Sequence, residues 1–457
     1  MARKTKKGQV EKVVKLESLK QINLNAAGLD IGAEEIWACV AEEGEDIAVR
    51  AFETFTVDLH RLADWLQEKE IETVAMEATG VYWIPIYEIL EGRGLEVYLI
   101  NARHIKNVPG KKTDVLDCQW IQQLHTYGLL RASFRPEADM VALRSYIRHR
   151  DNLIRYRSVH IQHMLKALHL MNIKLSTVIS DITGQTGQKI IRAIIAGEHD
   201  PVKLAQYRNN RCHSSEDEIA KALTGHYLPE HLFALTQAVE LYDFYNQQIE
   251  ACDAEIENKY AAFKPILDVE ANPLPPSTSR RRSKNEPQFN LRQSLYQITG
   301  VDLTQIDGLQ ALTVQQIIAE TGVDMDKWPT AKHFTSWLTL APHNDITGGR
   351  VLKSKTLKSK NRAAQAFRMA AQSVSRSDSA SGAFFRRIRA KHGAPKAITA
   401  TAHKLARIFY HLLKHKQDYK DLGQDHYTHQ HQARIVKNLK RKAKALGFDL
   451  VPQPVVS

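Results

Sequence analysis

Lys111–Trp120 reads KKTDVLDCQW. Asp114 and Asp117 stand three apart where a helix is expected to begin, and residues at that spacing share one helical face. Thr113 or Asp114 can cap the helix, and the positive end of its dipole favours ionised carboxylates in the first turn. Lys111 and Lys112 come just before the pair. Paired hard oxygen ligands beside cations suit a divalent metal facing a phosphate. A capping Asp with an unrelated surface Asp is the alternative. The choice depends on whether the chain supplies further carboxylates to the same place.

Upstream, from about Asn23, the pattern is α/β. Ala27–Ile31 is a short apolar strand interrupted by Asp30, and Ile36–Ala41 and Ile47–Thr56 are further strands separated by turn residues. Asp58–Lys69 has helical periodicity through Leu59, Leu62 and Leu66. Thr73–Met76 is a strand ending at Glu77. Tyr82–Leu90 is a helix with Pro85 in its first turn, Glu96–Ile100 a strand, and Asp114–Tyr127 the next helix. Three strands that meander and then alternate with helices predict a mixed sheet covered by helices.

This order puts carboxylates at informative positions. Asp30 interrupts an apolar strand, which is costly unless the charge is paired or binds a metal. Glu77 ends the fourth strand, at the edge where open α/β sheets place ligands. If the first and fourth strands are neighbours, four carboxylates converge, and such a cluster requires a cation, Mg²⁺ or Mn²⁺. The matching chemistry is metal-assisted phosphoryl transfer on a phosphodiester.

GLDIG (28–32), MEATGVYW (76–83) and KTDVLDCQWIQQLHTYGLL (112–130) resemble, in order and spacing, the RuvC-like, RNase H-fold DEDD domain of the IS110/IS1111 family of transposases. By that resemblance Asp30, Glu77, Asp114 and Asp117 are the catalytic, metal-binding tetrad.

The remaining chain divides by composition. Residues 1–22 form a basic arm and 23–135 the DEDD domain. Residues 136–267 are helical, with Ile147, Ile154, Ile161 and Leu168 recurring every seven residues. Arg150 and Arg157 fall on the other seam of that heptad, so a coiled coil is only partly supported. Arg144, Arg148, Arg155 and Lys166 add to a basic helix that is either a solvated face or an arm that dimerises and touches nucleic acid. Residues 268–290, with PLPPSTSRRRSK, are expected to be a flexible basic linker whose Arg280, Arg281 and Arg282 meet phosphates. In the mostly helical segment 291–420, Ile306–Gly322 resembles a helix–hairpin–helix element. There Gly308 would expose backbone N–H groups to a phosphate; an ordinary helix hairpin is the other reading. Residues 421–457 form a basic tail.

Leu340–Arg350 reads LAPHNDITGGR and leads into Lys353, Ser354, Lys355, Lys358, Asn361 and Arg362. A hydroxyl beside Gly348–Gly349, followed by cations, suits a phosphate-facing loop. WLTLAPHNDITGGR…KNRAAQAFRMAA resembles the family's C-terminal transposase domain, which supplies a serine nucleophile just before the glycine pair. Here Thr347 stands at that place, with Ser354 as the other candidate. The nucleic-acid contacts expected are Lys111, Lys112, Gly348, Gly349, Arg350, Lys353, Lys355, Lys358, Asn361 and Arg362.

The balance of 63 Lys and Arg against 51 Asp and Glu gives a formal charge of +12, as expected for a polyanion-binding chain. No apolar run is long enough to span a membrane, and the basic N-terminus lacks a signal core. The four cysteines show no CxxC spacing, which argues against a disulfide framework or a cysteine zinc site and fits a reducing cytoplasm. The resemblance further implies a nucleoid-associated bacterial recombinase of an insertion sequence, working as a dimer or tetramer. It would act on donor and target DNA with a structured non-coding guide RNA and form a transient 5′-phosphoryl enzyme within or across subunits. A Holliday-junction resolvase-like nuclease using the same carboxylates on water is the alternative enzyme. A non-catalytic nucleic-acid scaffold is the alternative outside enzymes.

Overall fold

A computed structural model describes residues 20–41, 47–78, 80–101, 114–277 and 283–451, with Asp114 described by its backbone alone. The chain forms two compact units, Met1–Arg135 and Pro136–Ser457.

The first unit is built on a five-stranded sheet: β1 (Ala26–Ile31), β2 (Glu35–Ala41), β3 (Ile47–Glu53), β4 (Thr73–Glu77) and β5 (Glu96–Ile100), in the order β3-β2-β1-β4-β5. The first three meander antiparallel, and β4 and β5 join parallel to β1. β1 and β4 are therefore neighbours. On one face Ala27, Leu29, Val74 and Met76 meet Leu62 and Leu66 of α1 (Thr56–Glu68) and Ile86 and Leu90 of α2 (Trp83–Gly92). Each fully buried Leu, Ile, Val or Met among them contributes about 1.5–3 kcal/mol. The other face is covered by α3 (Asp114–Thr126), with Ile121 packed against Ala75 and Ile100. At the end of the unit Arg135 lies over Tyr87, its guanidinium 4.1 Å from the ring centre, and pairs with Glu88 at 3.2 Å.

The second unit opens with α4 (Ala138–Leu170), which packs lengthwise against α6 (Pro229–Ala262). α5 (Gln185–Ile195) and shorter helices close their far end around Met164, Leu168, Ile190, Ile191, Ile194 and Leu235. Among the heptad residues Ile147 and Leu168 are buried, while Ile154 and Ile161 are half-buried.

The basic residues of α4 are not the free cationic face that their number suggested. Arg150 is buried and pairs with Asp253 of α6. Arg157 donates to Asn246 at 2.8 Å and to Asn285 at 2.7 Å. Arg148 grips Glu320 at 2.7 Å, with Arg144 3.9 Å from the same carboxylate. Arg155 donates to Asn152 at 2.5 Å, so five of the six cations that stud this stretch are tied to partners within the unit.

The segment around the expected linker is anchored where it is described. Pro275 O accepts from Arg292 at 2.6 Å, Pro276 O accepts from Gln305 at 3.0 Å, and Lys284 pairs with Asp181. Arg280, Arg281 and Arg282 lie outside the described residues.

Beyond it, α7 (Leu291–Thr299), α8 (Ala311–Thr321), α9 (Ala331–Trp337), α10 (Arg362–Ser373), α11 (Ala380–His392) and α12 (Ala394–His415) pack around fully buried Phe334, Phe367 and Phe409. The Phe367 and Phe409 ring centres are 5.4 Å apart, edge to face, an arrangement that aromatic quadrupoles favour. Gly308 belongs to this packing. A Cβ there would meet Ala370 O at 2.6 Å and Val374 Cγ1 at 2.7 Å, so the glycine lets the chain press on α10.

Between α9 and α10 stand β6 (His343–Thr347) and β7 (Arg350–Lys355), an antiparallel hairpin where the sequence suggested a loop. The basic tail contains α13 (Gly423–Ala445), a helix with no buried residue. Among the described residues no helix is long and apolar enough to cross a membrane.

Candidate active site

In the β1–β4 ladder Leu29 partners Met76. One step further along two parallel strands come Asp30 and Glu77, side by side with about 4.8 Å between strands. Alternation places both on the face opposite Leu29 and Met76, the face that α3 covers. Both side chains are half-buried. The strand neighbours on either side extend the row, Trp37 beside Asp30 and Ile100 beside Glu77.

α3 is fixed over this row by close packing on the strands. Its C-terminal end is held when Ile22 N and Asn23 N donate to Thr126 O at 2.8 and 3.0 Å. His125, buried there, shares a 2.9 Å hydrogen bond with Thr73, and burial pushes its pKa down to about 4. Mid-helix, Gln122 and Cys118 lie directly over Gly28. A Cβ on Gly28 would stand 2.3 Å from Gln122 N and 2.4 Å from Cys118 O. The helix therefore runs antiparallel to β1, and its first turns, with Asp114 and Asp117, lie toward the strand end that carries Asp30 and Glu77.

Cys118, one residue after Asp117, hydrogen-bonds with Cys39 on β2; this lowers its pKa, while burial and the nearby Asp30 charge raise it. The same bond, followed by burial, pushes the Cys39 thiol up.

The geometry thus sets Asp30 beside Glu77 and lays the first turns of α3, which carry the half-buried Asp117, on the same side of the sheet. Among the described residues, no group of three or more His, Cys, Asp or Glu stands ready to hold a metal. The Asp114 side chain, Lys111 and Lys112 lie outside the described residues. As a donor set, adjacent carboxylates fit Mg²⁺ or Mn²⁺. These hard ions take one or two carboxylates and keep several waters.

In the second unit Thr347 partners Arg350 across the two-residue turn Gly348–Gly349. The glycines have φ of 56° and 77°, the left-handed pair that a type I′ hairpin turn requires. Along β6 the side chains of His343, Asp345 and Thr347 share one face with Arg350, Lys353 and Lys355 of β7. Asn344, Ile346, Val351 and Ser354 share the other. Thr347 and Ser354, the two candidate hydroxyls, are therefore on opposite faces.

Asp345 is held between His343 at 3.4 Å and Lys353 at 3.7 Å. Lys355 and Lys358 are exposed. Asn361 caps α10, its Oδ1 accepting from Ala364 N at 3.0 Å, and Arg362 pairs with Asp151 at 3.2 Å.

Two residues that shape these sites were not singled out in the sequence. Gly28 could have been, since a glycine inside an apolar strand signals close backbone approach. Asp345 could have been from its alternation with Thr347, had the hairpin been recognised.

A five-stranded mixed sheet in the order β3-β2-β1-β4-β5, with helices on both faces, defines the RNase H-like class of fold. Comparison with protein families agrees. Residues 27–173 match the DEDD model of IS110, described as "Transposase", and residues 300–386 match a model described as "Transposase IS116/IS110/IS902 family". Together they span slightly more than half of the chain. No curated protein matches it. The chain belongs to the IS110 family of transposases, and its substrate is the DNA of a mobile element.

Proposed function

We propose that this transposase cuts and rejoins DNA strands with Asp30, Glu77, Asp114 and Asp117 as the metal-holding carboxylates and Thr347 as the nucleophile. The single observation that carries the reading is the register that sets Asp30 beside Glu77 under the N-terminal half of α3. Mg²⁺ or Mn²⁺ held by these carboxylates supplies positive charge to the scissile phosphate and lowers the pKa of the attacking hydroxyl.

The chain's own groups do the rest. Thr347 Oγ1 forms a bond to phosphorus while the bond to the 3′ oxygen breaks, leaving a 5′-phosphoryl enzyme and a free 3′-hydroxyl that takes up the proton. Attack by another 3′-hydroxyl on that phosphorus joins strands and returns the proton to Thr347. Arg350, paired with Thr347 across the turn, and Lys353 on the same face offer charge to the phosphate. Ser354 faces the other way, and this favours Thr347. Lys111, Lys112, Lys355, Lys358 and the Gly348–Gly349 backbone serve nucleic acid. Asn361 through its Nδ2 and Arg362 through its remaining guanidinium N–H groups can serve it as well, while the cap and the ion pair stay in place.

By membership of the family, the reading extends to a structured guide RNA that pairs with donor and target DNA and to a dimer or tetramer. A guide would supply specificity by base pairing. Mg²⁺-dependent strand cleavage on DNA from the element's own ends, lost in Asp30→Asn and in Glu77→Gln, tests it. Cleavage unaffected by either change would refute the carboxylate assignment. A resolvase-like hydrolase would keep cleaving when Thr347 is replaced.

A further inference from the structure

The hairpin carries more than the proposed nucleophile. Opposite its charged face stand Ile346 and Val351, 60% and 55% exposed, and Leu352, the residue bulged out of the ladder, is 70% exposed. Three aliphatic side chains held in water at the end of a two-stranded ribbon are a binding surface by ordinary expectation. Their neighbours indicate what they bind. Arg350, Lys353 and Lys355 occupy the opposite face of the same ribbon, and Lys358 and Lys360 follow within a few residues. The occupant must therefore offer anionic groups and apolar surface within the thickness of one β-ribbon. A nucleic-acid strand does so, with phosphates on one side and base faces on the other. The positive φ of Gly348 and Gly349 closes the tip with no side chain in the way.

We infer that this hairpin is a wedge for DNA: its cationic face takes the backbone, and Ile346, Val351 and Leu352 insert against bases and unstack them beside the phosphate presented to Thr347. Aliphatic side chains used in this way between base steps are a known physical device for opening or kinking a duplex. The inference rests on the reading that the hairpin meets DNA. It goes further by assigning the apolar face and a task, local strand opening.

The experiment uses the full chain and a forked DNA duplex with 2-aminopurine at the fork, whose fluorescence rises on unstacking. The wild-type chain should raise the signal several-fold. Ile346→Ser/Val351→Ser/Leu352→Ser should lose most of that rise while binding the fork with nearly unchanged salt dependence. Ile346→Val/Val351→Ile, which keeps the face apolar, should retain it. Lys353→Gln/Lys355→Gln should instead weaken binding and flatten the dependence of log affinity on log salt, by about 0.9 for each phosphate no longer neutralised.

A fluorescence rise that survives the triple serine variant overturns the wedge. So does a triple variant whose defect is lost self-association, seen by sedimentation without DNA, because a second copy then covers the face. Unchanged affinity and salt slope in the Lys353/Lys355 variant, with the fluorescence also indifferent to the serines, would show that the hairpin does not meet DNA at all.

Discussion

Asp30 and Glu77 are neighbours across two parallel strands, on one face, one step beyond the Leu29–Met76 pair. Two carboxylates at that spacing repel when both are ionised, and a divalent cation relieves the repulsion. Mg²⁺ should therefore stabilise the chain. With the ion at about a hundred times its dissociation constant, the gain is about 2.7 kcal/mol, a rise of several degrees in melting temperature. Thermal denaturation with and without Mg²⁺ measures it. Asp30→Asn and Glu77→Gln should remove the increment, and an equal increment in the variants would place the ion elsewhere.

Gly28 lets α3 rest on the sheet. Gly28→Ala puts a methyl group 2.3 Å from Gln122 N and must lift the helix. The expected cost is about 1–3 kcal/mol by urea denaturation. The Mg²⁺ increment should shrink as well, because Asp114 and Asp117 move with the helix.

His125 makes the first unit sensitive to acid. Its pKa falls from an ordinary 6.5 to about 4 on burial. The unfolded chain binds this proton below pH 6.5 and the folded chain only near pH 4. Stability is therefore unaffected above about 6.5 and is lost as pH falls toward 4, by up to about 3 kcal/mol. His125→Gln, which keeps a partner for Thr73, should flatten the melting temperature of the first unit over that window.

Arg150 and Asp253 are a buried pair between α4 and α6. Arg150→Met leaves Asp253 buried and unpaired, at a cost of about 3–5 kcal/mol. Adding Asp253→Leu should restore most of it, since replacing both charges by apolar groups is often neutral. A double variant no more stable than the single one would show that the pair contributes more than mutual neutralisation.

The sheet was legible because its strands are short apolar runs separated by turn residues, and the interruption at Asp30 stood out against Leu29 and Ile31. Distance in sequence hid the rest. Arg150 reads as a solvent-facing cation because Asp253, which neutralises it, lies 103 residues away. That Gly308 is a close-packing position does not show in the sequence, because α10, which presses on it, comes far later in the chain. The hairpin is exposed on both faces, so no buried side sets an apolar alternation over His343–Lys355, and its glycine pair reads as a loop. The basic tail contains a helix that sequence could not show, because α13 has no buried face to impose a helical apolar period.

The central claim is that Thr347 attacks phosphorus. The direct measurement is the yield of a protein–DNA adduct that survives denaturation, formed with Mg²⁺ on the element's own DNA ends and guide RNA. The wild-type chain and Thr347→Ser should form the adduct. Thr347→Ala should form none and should not cleave, while Ser354→Ala should form it as the wild type does. Cleavage by Thr347→Ala, or loss of the adduct in Ser354→Ala alone, would contradict the claim.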